Sequence, residues 1–215
     1  VRDNLHRHFF PGVDVQLNTP NPDPNHLFYV DSLLLDAAIL YIDEFIHDRE
    51  ANVLNLSLIV TNGAGHNFPS GTTFIRQLWL EIITTVEGDT IFSSGALNNN
   101  GDLSDFYIDS EKVIDPQLYI FNTILYNAEG DSGLLNVGVE DMVKLSDYTL
   151  PVDKSKTVNY SIPIPENAQG NLIISARLLF RSFPPFFLRF LGLDFEAENI
   201  PIFEIDQVSA QMIVQ

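Results

Sequence analysis

The sequence predicts a mainly β protein, folded as an antiparallel β-sandwich of the immunoglobulin or cupredoxin-like kind. Its apolar runs are short and bounded by Gly, Asn, Asp or Pro, as strands joined by turns are. Residues 53–62 alternate apolar and polar side chains with a period of two, which indicates a strand with one buried face. The chain has 215 residues, 45% of them hydrophobic, which is enough for one sizeable core. Without a linker or repeat to divide it, we expect one sandwich domain.

The first 30 residues contain four prolines and no sustained periodicity, so we expect an extended N-terminal arm there. The sandwich domain is then expected over residues 31–215. Asp31 is the expected N-cap of a short helix. Strands are expected over residues 37–47 and 53–62. His47 falls at the turn between them, where a solvated histidine is the ordinary interpretation.

The stretch 59–81 is the part around which we expect the sandwich to be organised. Two β-prone runs flank a loop over residues 62–71 that holds three glycines, one proline and a single histidine, His66. After the loop, a long strand is expected over residues 72–86, and it contains the one tryptophan, Trp79. Loops held on a rigid scaffold are where functional groups are displayed, so His66 is the first candidate.

A polar, acidic insert is expected at residues 95–136. It contains four acids that resemble a calcium loop only superficially, because they lack the spacing and glycine of an EF-hand: Asp102, Asp105, Asp109 and Glu111.

Further strands are expected over residues 157–165 and 170–183. Pro184 and Gly192 bound a short helix, and an edge strand closes the chain at residues 200–214.

The composition excludes several function classes. With 29 acidic and 11 basic residues the formal charge is −18, which argues against nucleic acid or an anionic membrane surface as a partner. No cysteine is present, so this chain cannot itself form disulfides, thiolate zinc sites or the covalent attachment of a c-type haem. No run reaches the roughly 20 apolar residues of a membrane span. The chain opens on Val1 without a signal sequence, and we expect a processed piece of something longer.

The motifs of common enzymes are absent from the sequence: it has no phosphate-binding glycine loop, His-Glu-x-x-His helix or Gly-x-Ser-x-Gly elbow. A serine triad from Ser70 and His66 would lack an evident oxyanion donor. We therefore expect a protein that is not itself an enzyme. His66, held between Gly65 and Asn67, is suited to be a rigid metal ligand, although it could instead close its own loop through backbone contacts.

Several separated motifs carry a resemblance to a known family. They occur in the family's order and span the chain from His6 to about residue 205: HRHFFPGVDV, GAGHNFPSG with RQLWLEI, SSGALNNNGDL, and ARLLFRSFPPFFLRFLGL. Together they resemble the C-terminal region of secreted multihaem c-type cytochromes. In that family a β-sandwich follows a segment with CxxCH haem-attachment motifs, and sandwich histidines reach back to haem irons as distal ligands.

The resemblance implies His8 and His66 as axial ligands of haem iron, with His6 as the third candidate. Arg76, close behind His66, suits an anionic edge such as a haem propionate. His6 and His8 stand two apart, so on an extended segment they point to opposite faces and are not expected to share one metal. Both could also be ordinary surface histidines in a basic patch with Arg2 and Arg7.

The sequence departs from the family in lacking CxxCH, so haem c would have to be attached to another chain or segment. A c-type haem takes one histidine from its own attachment motif, so a cysteine-free chain can still supply the other axial ligand. The expected function is therefore electron transfer, in a haem-bearing homo- or hetero-oligomer or filament that is extracellular or periplasmic.

Two alternatives belong to other classes. The first is a secreted module that binds carbohydrate or a cell surface, with Ca²⁺ held by the acidic insert and an aromatic platform formed by Tyr107, Tyr119 and Tyr126. The second is a mononuclear copper or zinc site built from His6, His8 and His66. The calcium-stabilised module predicts calcium-dependent stability and no colour, whereas the haem hypothesis predicts a visible spectrum.

Overall fold

The computed structural model describes residues 11–104 and 115–215. Within these ranges the chain forms α-helices at Pro24–Leu35 (α1), Pro185–Phe190 (α2) and Asp194–Asn199 (α3), and a 3-10 turn at Val139–Asp141. The strands are β1 (Ala38–Asp48), β2 (Val53–Asn62), β3 (Gln77–Val86), β4 (Asp89–Ser94), β5 (Ile120–Phe121), β6 (Thr123–Tyr126), β7 (Lys144–Asp147), β8 (Ser155–Pro163), β9 (Gly170–Arg181) and β10 (Phe203–Val214).

The strands form antiparallel sheets, and the predicted mainly β, antiparallel sandwich is confirmed. One sheet has the order β1-β2-β8. The other has the order β10-β9-β3-β4, and β5 pairs with the first part of β3 on the side that β4 occupies further along. A separate hairpin-like pair joins β6 to β7. β10 lies at the edge of its sheet, as predicted.

The hydrophobic core lies between the two sheets. In β2 the residues that alternate toward it are Leu54, Leu56, Leu58 and Val60, and each is at most 1% exposed. The central strand β3 is buried on both faces. Its residues Leu78 and Leu80 face the main core, while Trp79 packs in a separate cluster with Leu103 and Leu179 on the outer face.

The two sheets meet along the edge formed by β1 and β10. There the carboxylate of Asp206 accepts a hydrogen bond from the backbone N–H of Leu40 at 2.7 Å. This bond satisfies a backbone donor that has no partner on the neighbouring strand.

The edge strand β8 is covered by a side chain. The amide of Gln117 both donates to and accepts from the backbone of Ser161, at 3.0 and 2.9 Å. An amide that imitates a neighbouring strand in this way protects a sheet edge.

The first helix begins earlier than predicted, and Asp31 is not its N-cap. Asp23 is the cap: its carboxylate accepts from the N–H of Asn25 at 2.9 Å, and Pro24 occupies the first helical turn. Proline is well suited there because its missing N–H has no helical partner to lose. Residues 24–30 of the expected arm are therefore helical.

The remaining differences concern short elements. β3 begins at Gln77 and not at Thr72, because residues 72–76 form a turn in which the N–H of Ile75 donates to the carbonyl of Thr72 at 3.0 Å. The expected insert at 95–136 contains β5 and part of the β6–β7 pair. Neither β7 nor α3 was predicted, whereas the short helix after Pro184 is confirmed.

Candidate functional site

The loop that carries His66 is held in place by Asn62, the last residue of β2, which is 5% exposed. The amide nitrogen of Asn62 donates to the carbonyls of His66 and Leu150, at 2.9 and 2.8 Å, and its oxygen accepts from the N–H of Ala64 at 2.7 Å. One buried side chain thus binds both ends of the turn and a distant segment. The loop is fixed before any ligand arrives, which is what a ligand site needs.

Backbone contacts complete the anchoring on either side. The N–H of Gly63 donates to the carbonyl of Ala37 at 2.9 Å, and a side-chain carbon at Gly63 would lie 2.7 Å from the carbonyl oxygen of Asp36. Glycine is therefore required for the close approach of the loop to the start of β1. Further along, Phe68 and Leu150 exchange two backbone hydrogen bonds, at 2.9 and 2.7 Å.

His66 itself is exposed, and only one of its ring nitrogens is bonded within the described part of the chain. Its Nδ1 lies 2.9 Å from the carbonyl oxygen of Asn67. Because a carbonyl can only accept, the neutral ring carries its proton on Nδ1 in this contact, which leaves the lone pair on Nε2. A histidine oriented by a carbonyl and free at the other nitrogen has the form of a metal ligand.

Arg76 lies on the other side of the same concave surface. Its Nη2 is 3.1 Å from a carboxylate oxygen of Asp14, and its guanidinium carbon is 5.9 Å from the ring centre of Phe180. The side chain of Arg76 is 12% exposed while that of Asp14 is 58% exposed. An ion pair this open to water is weak. The Nε of Arg76 is buried and has no hydrogen-bond partner within the described residues. An anion in the cavity would therefore contact the outer guanidinium nitrogens, where Nη2 faces Asp14.

These residues line a cavity of about 450 Å³. Apolar side chains make up much of its wall, including Leu33, Leu34, Phe68 and Phe180, and His66 and Arg76 supply polar groups. The structure therefore brings together two of the four residues predicted for the site. The other two, His6 and His8, lie outside the described residues, although the cavity is also lined by Gly12–Asp14, which follow them closely in the chain.

Sequence reasoning missed Asn62 and Asp14. The signal for Asn62 was present, because it continues the core-facing phase of β2 after Leu58 and Val60, where a polar residue must find internal partners. Asp14 carried no such signal, since its partner Arg76 is 62 residues away. Trp79 lies close to the loop in sequence but not in the site: its Nε1 donates to the carbonyl of Gly95 at 3.0 Å on the outer face of the sheet.

Each of the other described histidines has a hydrogen-bond contact through one ring nitrogen. His26 Nε2 lies 3.1 Å from the carbonyl of Pro11, and His47 Nε2 lies 3.4 Å from the amide oxygen of Asn52. No cluster of three or more potential metal-ligating side chains occurs in residues 11–104 and 115–215. The proposed copper or zinc site from His6, His8 and His66 extends outside those ranges.

Three residues named for the calcium and carbohydrate alternative lie in the described part of the chain, namely Asp102, Tyr119 and Tyr126. Each contacts another residue of the fold. Both carboxylate oxygens of Asp102 are used, one by the N–H of Phe186 at 2.9 Å and the other by Arg189. Asp105, Asp109, Glu111 and Tyr107 lie outside the described residues. Tyr119 packs edge-on against Phe121, and Lys144 lies over the ring of Tyr126. Both described tyrosines of that platform thus already contact another side chain of the fold.

Among the helices of the described residues, none has the length and apolar character needed to cross a membrane.

The sequence matches no protein-family model and no curated protein. The fold, however, is similar to part of a solved structure, the crystal structure of a penta-heme cytochrome c552 from Thermochromatium tepidum, with a TM-score of 0.62 and 16% identity. The match covers 85% of this chain and 41% of the cytochrome, so this chain spans less than half its length. The sandwich is thus a fold that also occurs within a multihaem cytochrome.

Proposed function

We propose that this chain is an electron-transfer component that caps c-type haems carried by a partner chain or by another segment. In this proposal His66 supplies a distal axial ligand and Arg76 faces a haem propionate. The observation that carries it is the geometry of His66: its loop is anchored by Asn62, its Nδ1 is held by a carbonyl, and its Nε2 is left as a donor to metal. The likeness of the fold to part of a penta-heme cytochrome supports the same conclusion.

The residues that line the cavity suit contact with one edge of a haem and not the enclosure of a complete haem. The cavity of about 450 Å³ is open, with an apolar wall and one arginine whose carboxylate partner, Asp14, is exposed. A haem bound there would be shared between this chain and its carrier, and it supplies one-electron redox chemistry. His66 would hold the iron, the apolar wall would exclude water, and Arg76 would exchange Asp14 for a carboxylate of equal charge.

His8 and His6 remain candidates for further axial ligands. Two histidine ligands leave iron without an open coordination position, so the proposal is for electron transfer and not for turnover of a substrate. An assembly of this kind would be a hetero- or homo-oligomer, or a filament, outside the cytoplasm. Ca²⁺ is not part of this proposal, because Asp102, the one described acid of the four named for it, has both oxygens engaged by Phe186 and Arg189.

The first test is a visible spectrum of material purified undenatured from its source, oxidised and then reduced, with the mass of every polypeptide present. A strong Soret band with sharp reduced α and β bands, together with a second polypeptide that carries covalent haem, is expected. A colourless preparation of this chain alone would contradict the proposal.

The second test isolates His66 with a defined probe, a haem c peptide that carries one histidine ligand and an open sixth position. We expect the purified chain to convert this peptide to a six-coordinate, low-spin spectrum, and the His66→Ala variant to bind it at least about tenfold more weakly, a change of about 1.4 kcal/mol. His47→Ala is the matched control, because its ring is bonded to Asn52. Equal affinities for all three proteins would remove His66 from the proposal.

A further inference from the structure

A second surface, separate from the His66 cavity, exposes large apolar side chains at the turn between α2 and α3. We define the α2–α3 patch as Phe190, Leu191, Leu193, Phe195 and Ile202, all of which are exposed. Phe190 is 65% exposed, while Phe186 and Leu188 of the same helix are buried. The helix thus uses one part for the protein's own core and leaves its last turn uncovered. Contiguous apolar exposure of this kind marks an interaction surface more often than scattered single residues do.

The charge around the patch is negative. Residues 190–204 contain four acids and no lysine or arginine: Asp194, Glu196, Glu198 and Glu204. The described cations near it are engaged within the fold. Arg189 pairs with the buried carboxylate of Asp102, Arg177 pairs with Glu81 and Glu204, and the buried Arg181 donates to Gln77. An apolar centre with an acidic rim is complementary to a partner that carries an apolar centre with a basic rim. A second copy of this chain would bring acid against acid, and each copy has a formal charge of −18.

The patch lies at the same end of the sandwich as the His66 cavity. Gln77, which follows Arg76, pairs with Arg181, and α2 begins only four residues after Arg181. The hydroxyl of Ser182 donates to the carbonyl of Val13 at 2.9 Å, and Val13 lines the cavity. One partner could therefore contact the cavity and α2 at the same time, because both lie at the same end of the sandwich.

We propose that the α2–α3 patch is a second attachment point for the haem-bearing partner, which presents lysine or arginine side chains around an apolar centre. This inference rests on the proposed function, because it takes the partner to be the polypeptide whose haem His66 caps. The patch supplies affinity and orientation, whereas His66 supplies the ligand to iron. The two contributions are therefore separable by experiment.

The test uses the haem-bearing polypeptide isolated with this chain from its native source, separated and recombined with variants. The apolar variant is Phe190→Ser with Phe195→Ser, and the charge variant is Asp194→Lys with Glu198→Lys. The matched control is Ile46→Ser with Ile213→Ser, because these exposed side chains lie at the opposite end of the sandwich. Circular dichroism checks that each variant is folded, and all four side chains of the test variants are exposed.

We expect the apolar variant to raise the dissociation constant about tenfold or more at every salt concentration. The charge variant should weaken binding at low salt and approach the wild type at high salt, as screening removes its effect. The control should bind as the wild type does. In every saturated complex the spectrum should remain low-spin, since His66 is unchanged.

Three results would overturn the inference about the patch, and they differ in whether they also contradict the proposed function. If the apolar variant binds like the control while His66→Ala alters the spectrum, the patch inference fails and the proposed function stands. If the wild-type chain binds no haem-bearing polypeptide, both fail. If the wild type is a dimer in sedimentation and the apolar variant is a monomer, the patch binds a second copy and not the haem-bearing partner.

Discussion

The loop that carries His66 and the segment 95–104 are built from the same kinds of residue, glycine, asparagine and a few apolar side chains. Each is also held by one buried polar residue, Asn62 in the first and Asp102 in the second. Asn62 binds only neutral backbone groups, and one imidazole nitrogen of His66 has no partner within residues 11–104 and 115–215. Asp102 binds Arg189, so the second segment uses its charge within the fold.

The comparison teaches that loop composition does not distinguish a displayed site from a structural clamp. The distinction lies in the partners, and these are far away in sequence: Asp102 meets Arg189 across 87 residues. Asn62 bonds backbone groups alone, and the imidazole beside it has one nitrogen without a partner among the described residues. Asp102 uses one oxygen for the N–H of Phe186 and the other for Arg189, so its carboxylate is fully engaged within the fold.

The largest expected effect comes from removing the first anchor. Asn62→Ala deletes three hydrogen bonds and leaves buried backbone groups unpaired, so we expect the free energy of unfolding to fall by about 3 kcal/mol. The affinity of His66 for the haem c peptide should fall as well, because its loop loses its orientation. Urea unfolding followed by the fluorescence of the buried Trp79 measures the first effect.

Asn55→Ala is the matched control for this change, since Asn55 is an exposed asparagine on the same strand. It should alter stability by less than about 0.5 kcal/mol. If Asn62→Ala destabilises the protein but leaves the affinity for the haem c peptide unchanged, the anchor does not position His66.

Removing the second anchor should give a smaller and purely structural effect. Asp102→Asn retains an acceptor for the N–H of Phe186 but removes the charge that Arg189 faces. Loss of one partner from a buried pair costs about 3–5 kcal/mol, and we expect about 2 kcal/mol here because the Arg189 side chain is 32% exposed. Asp89→Asn, at an exposed position, is the control. A reduced affinity for the haem c peptide in Asp102→Asn would show that the two loops are coupled.

Much of the fold was predictable because local pattern and tertiary packing agree in the longer strands. β2 has the predicted bounds, since its alternation of Leu54, Leu56, Leu58 and Val60 matches one buried face. β5 has only two residues, and it exists because it pairs with β3, which no local pattern can report. The start of α1 was missed because Asp31 resembles a cap, while Asp23 followed by Pro24 is the actual one.

The candidate site was predictable in part. The composition of the loop made His66 a candidate, and Arg76 was added because it follows closely in the chain; both side chains line one cavity. The tautomer of His66 could not be predicted, because it depends on where the carbonyl of Asn67 points. The ion pair of Arg76 with Asp14 could not be predicted either, since it joins the turn before β3 to a segment that precedes α1.

The smallest expected change in stability concerns Asp115 and Tyr160, which lie next to the segment 95–104. Asp115 accepts from the N–H of Gly95 at 2.7 Å, and close to it lies Tyr160, whose hydroxyl is buried without a hydrogen-bond partner in the described residues. Burial raises the pKa of Tyr160 well above its usual value, and the charge of Asp115 raises it further. The neutral phenol is therefore retained in the folded state, and its contribution to stability is lost as the pH rises above about 10, where the unfolded chain ionises.

Tyr160→Phe removes both the unbonded hydroxyl and the ionisation. We expect the free energy of unfolding to rise by up to about 1 kcal/mol at neutral pH, and the advantage over the wild type to grow above about pH 10. Urea unfolding at both pH values measures this, with Tyr41→Phe on the exposed face of β1 as the control. A loss of stability at neutral pH would mean that the hydroxyl has a partner, and the support beneath the segment 95–104 would then resemble the fully bonded anchor at Asn62.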